Sequence, residues 1–266
     1  MKQKKESLLW RIESNDLPGP SFLLGTMHIR DQRAFGLLEL VYEKINTCAA
    51  FAAEIDLQVT EIPPEKLSMN IPPSKWLDQM LSPRQFQKMR QIILKGTGLD
   101  LYLYRFLHPM VINNLILERI LSKDMSIALD RHLWDYAQEQ GKQLLGIETL
   151  EEQLAIMQVI PFQRHLKDLL GMSKNFTRYR RHMHHLVHLY QEGALQRLHK
   201  ASKKGAGSFR RMMIYDRNVN MADRIADMVG QQTTFCAIGA GHLGGSKGVL
   251  RLLKKKGLKV KPEFPN

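Results

Sequence analysis

Two short segments near opposite ends of the chain constrain its fold more than any other feature. Phe22-Leu23-Leu24-Gly25-Thr26-Met27-His28 and Phe235-Cys236-Ala237-Ile238-Gly239-Ala240-Gly241-His242 each pass from an apolar run of strand type into Gly-x-x-His. The residues after each histidine can open a helix. A histidine just past the end of a buried strand is held by a stiff element and faces the rim of the sheet, where ligands bind in open α/β folds. Gly25 and Gly239 are expected to let the backbone turn sharply there. One Gly-x-x-His recurs by chance. Two of them, each after a strand, predict a single site assembled from both halves of the chain.

The segments between them extend this pattern. Residues 8–12 and 21–24 read as strands joined at Asn15-Asp16-Leu17-Pro18-Gly19-Pro20, an antiparallel hairpin. Residues 34–45 carry Leu37, Leu38, Val41 and Ile45 at helical spacing, and 48–55 form a near-continuous apolar run suited to a strand buried on both faces. That run ends in Glu54-Ile55-Asp56. Strand, helix, strand makes a right-handed crossover, which puts this acidic end on the same rim as His28.

Residues 63–126 read as three or four helices punctuated by proline and glycine, a candidate cap over the site. A helix over 130–140 closed by Gly141 precedes a strand over 143–147 that ends at Glu148. From 150 to 229 the spacing is helical, with breaks expected at Gly171, Gly193 and Gly205-Ala206-Gly207. A strand over 233–238, a helix over 246–256 stopped by Gly257 and a last strand over 258–260 complete the chain. The expected class is α/β: two related strand–GxxH–helix halves, 8–62 and 230–266, share a mixed sheet, with a large helical insertion, 63–229, between them in one domain.

Composition narrows the function. A chain of 266 residues, 44% of them apolar, can bury a substantial core. The net charge of +13 is spread along the chain, and only Lys254-Lys255-Lys256 and 178–181 form basic runs. No nucleic-acid motif accompanies them, so the charge reads as a solvated basic surface and nucleic acid is not an expected partner. Cys48 and Cys236 lie in apolar runs and read as buried free thiols. No apolar run is long enough for a signal-peptide core or a bilayer span, which predicts a soluble cytoplasmic protein. His182, His184, His185 and His188 share helical faces, but the neighbouring Arg178, Arg180 and Arg181 would repel a cation. No heptad seam indicates an oligomeric state.

An ordered set of motifs runs along the chain: Leu9-Trp10-Arg11-Ile12, Leu24-Gly25-Thr26-Met27-His28, Glu54-Ile55-Asp56, Ala128-Leu129-Asp130-Arg131-His132-Leu133 and Gly141-Lys142. Gly146-Ile147-Glu148-Thr149 with Glu152-Gln153, then Arg217-Asn218 and Gly239-Ala240-Gly241-His242-Leu243, complete it. This set resembles the TraB/GumN family, which contains the Tiki proteins and is distantly related to the erythromycin-esterase and ChaN-like proteins. The resemblance covers most of the chain and is weakest over 63–126. It implies an α/β core of two related halves and a metal-dependent hydrolase, with peptide cleavage proposed for Tiki-like members. The family's two histidines carry over onto His28 and His242, and its acid after the third strand onto Glu54. At Tyr190-Gln191-Glu192-Gly193-Ala194 the family commonly has an acid after the glycine, where this chain has Ala194.

The chemistry so implied is specific. Two neutral imidazoles and a carboxylate leave a coordination position open on Zn²⁺, Mn²⁺ or Co²⁺, where a bound water becomes a nucleophile. His28, His242 and Glu54 are the expected ligands, Glu148 the base or a further ligand, and Arg217 the holder of a developing oxyanion. Gly25, Gly239, Asp130 and Asn218 are expected around them. The substrate would be a peptide or small molecule. Structural roles compete for the same residues. The histidines can be satisfied core or capping groups, Glu54 or Asp56 can favour a helix N-terminus, and Glu148-Thr149 with Glu152 can cap a helix. Arg217 can pair with Asp130 or Asp223. Two other functions fit the same sequence: a haem or anionic-ligand binding protein without turnover, and a regulatory protein that has lost catalysis, which Ala194 leaves open.

Overall fold

The computed structural model describes residues 6–58 and 71–265. Of the expected helical insertion, residues 63–70 lie outside them. Apolar strands buried on both faces need helices on either side, and the described residues form a mixed six-stranded sheet with eleven α-helices. Strands β1 (Leu9–Glu13) and β2 (Ser21–Thr26) make the expected hairpin, Leu9 opposite Leu24. Helix α1 (Leu38–Asn46), preceded by a 3-10 turn over Gln32–Phe35, leads to β3 (Ala50–Ile55). Then come α2 (Leu77–Met80), α3 (Pro83–Thr97), α4 (Pro109–Ile120), α5 (Leu129–Glu139) and β4 (Gln143–Glu148). The next stretch is helical: α6 (Leu150–Val159), α7 (Phe162–Lys174), α8 (Phe176–Gln191), α9 (Leu195–Ala206) and α10 (Arg217–Gln231). Strand β5 (Thr234–Gly239), α11 (Val249–Lys255) and β6 (Lys259–Pro262) end the fold.

The strand order is β4-β3-β5-β2-β1-β6. The first four are mutually parallel, and β1 runs antiparallel between β2 and β6. The chain leaves β2, passes over one position to reach β3 and β4, and fills the gap only with β5. The register sets Thr26 beside Gly239 and Ile55 beside Glu148, so the carboxyl ends of all four parallel strands share one rim. That gap is where strand order reverses, the place at which open α/β sheets bind ligands. Behind the rim, the Phe51 ring stacks on Phe235 at 5.8 Å and 7° and meets the edge of Trp134 at 6.2 Å.

The chain divides into two compact units. One holds the sheet, with Asp124–Ile156 and the residues from Leu186 onward. The other holds the described parts of Gln58–Lys123 and Met157–His185, where α3, α4 and α7 pack through Phe86, Met89, Ile93, Ile112, Ile116, Leu166 and Leu169.

Two of the expected helix breaks stand, at Gly193 (φ +67°) and Gly207 (φ +54°). Gly171 does not break its helix. It lies inside α7, which starts after Pro161, where no N–H is available, and stops at Asn175. Buried Leu169 and Met172 on either side of Gly171 hold the helix through it against the low helix propensity of glycine.

The second unit contains an acid-sensitive group. The buried His108 caps α4, its Nδ1 accepting from the Met110 N–H at 3.2 Å. Burial, with His165 and Lys75 nearby, pulls its pKa down to about 4. An unfolded chain takes up the proton near pH 6.5, so stability is complete above that value and falls as pH drops toward 4, by on the order of 2–3 kcal/mol. His108→Asn keeps an acceptor at the cap and removes the titration. The variant is expected to flatten the decline in urea-unfolding midpoint between pH 7 and pH 4.5; an unchanged decline would place the effect elsewhere.

Candidate functional site

At the shared rim, two carboxylates that would repel each other meet one guanidinium. Arg217, the first residue of α10, donates from Nε to both oxygens of Glu148 at 3.0 and 3.1 Å. Its Nη2 bridges Glu148 Oε2, at 2.5 Å, and Glu54 Oε1. Gln153 Nε2 donates to the same two oxygens at 3.1 and 3.2 Å, and the Gly239 N–H donates to Glu54 Oε2 at 2.9 Å. Glu54 therefore comes from the end of β3, Glu148 from β4, the amide from β5 and the cation from α10. Arg217 pairs with neither of the two acids weighed for it. Asp223 pairs with Lys256 at 2.6 Å, and Asp130 accepts the Thr26 hydroxyl at 2.5 Å. The helix cap is also separate from Glu148. Thr149 and Glu152 form it, through Thr149 N–H to Glu152 Oε2 at 2.9 Å and Glu152 N–H to Thr149 Oγ1 at 3.2 Å.

These contacts fix the charges. Burial alone would raise the Glu54 pKa, but His242, Arg217 and the Gly239 amide outweigh it and hold the carboxyl below its ordinary range. Burial would lower the Arg217 pKa, yet the hydrogen bonds it donates to Glu148 and the charges of both glutamates push it up, so it stays protonated at any working pH. For His242 burial is the largest influence and lowers its pKa; Glu54 and Glu148 oppose it, while Arg217 and His199 add to it.

His242 closes a 3-10 turn, Ala240–His242, just past β5. Its Nδ1 lies 2.7 Å from Oδ1 of the fully buried Asn218. Asn218 Nδ2 in turn donates to the Lys247 carbonyl at 2.7 Å, which makes Oδ1 the acceptor. The network thus assigns the proton to Nδ1 of His242 and leaves the Nε2 lone pair facing away from Asn218. A Cβ built on Gly239 would stand 3.3 Å from Glu54 Oε2 and 3.5 Å from His242 Cδ2, so the glycine keeps open a small space between carboxylate and imidazole.

The two glycines serve close approach and not a sharp turn, since neither has positive φ. A Cβ on Gly25 would meet Leu243 Cδ1 at 2.6 Å and the Ala240 Cα at 3.0 Å. Three later glycines let α9 press on the His242 loop. Gly241 faces Ser202, while Gly244 and Gly245 face His199, whose Nδ1 lies 2.9 Å from the Gly241 carbonyl.

His28 stands at the end of β2, the strand beside β5. Its Nδ1 is 3.4 Å from Asp130 Oδ2, and its side chain is 77% exposed. The sheet thus puts both histidines on one rim with different partners. Among the described residues, no group of three or more His, Cys, Asp or Glu side chains is gathered in a way that could hold a metal. The four-histidine run lies on α8, where His188 pairs with Glu192 at 3.2 Å. Both cysteines are free and buried, and burial raises their thiol pKa values, that of Cys48 to about 11.

Gln153, Thr26, Tyr190 and His199 are site neighbours to which the sequence pattern assigns no role. Tyr190 donates its hydroxyl to the Gly25 carbonyl at 2.7 Å. Gln153 is visible in sequence only as part of the Glu152-Gln153 pair, and the Gly244-Gly245 pair is the sole trace of His199 packing. Among the described residues no helix is long and apolar enough to cross a membrane. In sequence comparison, the model of the TraB/PrgY/gumN family matches residues 8–262. No curated protein and no solved structure matches the chain.

Proposed function

The chain belongs to the TraB/PrgY/gumN family, and from that premise we propose that it is a metal-dependent hydrolase of peptide or amide bonds, working where β2, β3, β4 and β5 end. The observation that carries this reading is the anchoring of His242: its Nδ1–H is held by Asn218, and its Nε2 keeps a lone pair that points away from that amide. Metal-binding imidazoles are oriented in this way, by an acceptor on the far nitrogen.

In donor type the side chains of His28, Glu54 and His242 suit a divalent ion, although among the described residues they are not gathered around one point. His28 has a carboxylate, Asp130, 3.4 Å from its Nδ1, as His242 has an amide oxygen at its own. Glu54 Oε2 accepts one hydrogen bond, from Gly239, and retains a second lone pair beside the space that the glycine keeps open. His28, Glu54 and His242 would hold the ion. Zn²⁺, Mn²⁺ or Co²⁺ bound there supplies Lewis acidity and a water of lowered pKa.

The chain's own groups do the rest. Arg217 spends Nε and Nη2 on the two glutamates, and its Nη1 edge is the fixed positive charge that can meet a substrate carbonyl oxygen as negative charge grows on it. Glu148 is 4% exposed with both oxygens bonded to Arg217, and in this reading it holds that guanidinium in place beside its expected part as base or further ligand. Burial favours neutral His242, the form in which an imidazole binds a metal or accepts a proton.

Bound metal measured in the wild type, His28→Ala and His242→Ala tests the proposal. Loss from both variants is expected, and unchanged stoichiometry in both removes the metal site. Asn218→Ala is expected to weaken metal affinity by about 10–100-fold. Metal-stimulated cleavage of a peptide library, lost on Glu54→Gln, is the accompanying activity test.

A further inference from the structure

The helical unit exposes an apolar surface that the candidate site does not use. Buried Leu101 and His108 fix the two ends of a short turn, and between them Tyr102, Leu103 and Phe106 are 45%, 61% and 46% exposed. The Arg105 guanidinium lies 4.0 Å from the centre of the Tyr102 ring and 5.4 Å from that of Trp76, whose ring meets Phe106 edge-on at 6.5 Å. Arg90 reaches the other side of the cluster, 5.5 Å from the Tyr102 ring centre, and Leu94, 43% exposed, stands one helical turn later on α3. Trp76, Tyr102, Phe106, Arg90 and Arg105 form one contacting cluster, with Leu103 exposed on the same turn and Leu94 on the same helix as Arg90. Scattered apolar residues at a surface need no explanation, but a contiguous patch marks something that binds there.

Charge identifies the binder. Residues 71–108 carry six Lys and Arg against two Asp. Both aspartates are already tied to arginines of the patch, Asp100 to Arg90 at 2.6 Å and Asp78 to Arg105 at 3.2 Å. Lys75, Arg84, Lys88 and Lys95 are exposed and supply the net charge around the patch. The last three share one side of α3, away from its buried Phe86, Met89 and Ile93. An apolar tip with aromatic rings beside it and lysine and arginine around it matches a lipid headgroup boundary. Leucine and phenylalanine reach toward the acyl chains, tyrosine and tryptophan sit at the headgroups, and the cations meet anionic phosphates. A second copy of the chain is a poorer match, because two molecules of net charge +13 repel.

We propose that the Leu94, Tyr102, Leu103 and Phe106 patch of the helical unit docks the protein on anionic membrane surfaces. The test is co-sedimentation of the full chain with phosphatidylcholine vesicles that contain or lack phosphatidylglycerol. Sedimentation is expected with the anionic vesicles, weakening as salt rises. Leu103→Asp combined with Phe106→Asp is expected to lower the partition coefficient by at least about tenfold, with a small loss of melting temperature from the Phe106–Trp76 contact that the single Leu103→Asp variant, at the most exposed position, does not share. Leu103→Trp, which preserves an interfacial side chain, is expected to retain binding. The proposal is overturned by absence of binding to anionic vesicles at low salt, or by equal binding of the double aspartate variant. A concentration-dependent dimer that the same variant abolishes, with no vesicle binding, would also overturn it and assign the patch to self-association.

Discussion

Arg217→Met is expected to destabilise the protein by about 3–5 kcal/mol, because it leaves Glu54 and Glu148 facing each other at the rim without their shared cation. Two exposed acids would spread apart and hydrate, and the loss would then be only about 0–1 kcal/mol. Glu148 cannot do so, being nearly inaccessible, and Glu54 is held by the Gly239 amide. The pH dependence should change with it. In the wild type the Glu54 pKa is depressed, so its contribution is present above the ordinary carboxylate pKa and is lost as pH falls through the depressed value. Without Arg217, burial and the neighbouring Glu148 push the Glu54 carboxyl upward, and the variant should recover stability on mild acidification. Adding Glu148→Gln should restore part of the loss. Urea unfolding across pH measures all three; a loss under about 1 kcal/mol that is flat with pH would show the cluster to be solvated. Arg217→Lys is not a conservative control, since one ammonium cannot reproduce the fork that reaches both acids.

The second large effect is expected at Phe51→Ala, a loss of about 3–5 kcal/mol. The ring is fully buried in β3, stacked on Phe235 of the neighbouring strand and meeting the edge of Trp134 from α5. Removing it opens a cavity among aromatic rings that have little room to relax, three residues before Glu54. Thermal unfolding reads the loss directly. A cost under about 1.5 kcal/mol would mean that the two facing rings close the gap.

The rim was legible in the sequence because parallel strands buried on both faces leave near-continuous apolar runs, and those before His28, Glu54 and His242 are of that kind, while β4 before Glu148 is a half-buried edge strand. The crossover rule placed the Glu54 end beside His28, and the repeated Gly-x-x-His brought His242 to the same site. The partners of Arg217 were not legible. They depend on the position of α10 relative to β3 and β4, and a charge weighed in sequence has several acids within plausible reach. Asn218 was expected near the site from the Arg217-Asn218 pair, but its partner His242 was not legible, since the buried face of α10 shows only as helical spacing. Gly171 misled for a related reason, because packing on both sides of it overrides a local preference. At Glu148, Thr149 and Glu152 the local signal was right about the cap and wrong about its membership.

The position of β5 bears on how the molecule assembles. The strand at the centre of the parallel sheet is also among the last made, and its Gly239 contacts Glu54 across a separation of 185 positions. While a ribosome is still producing the intervening helices, β2 and β3 have no common neighbour and their inner edges are bare. Contacts of such long range are slow to form, and unpaired strand edges invite association with other chains. Nascent chains stalled before Thr234 should therefore be the aggregation-prone species, and the rim that joins Glu54 to Gly239 comes into existence only as synthesis nears its end.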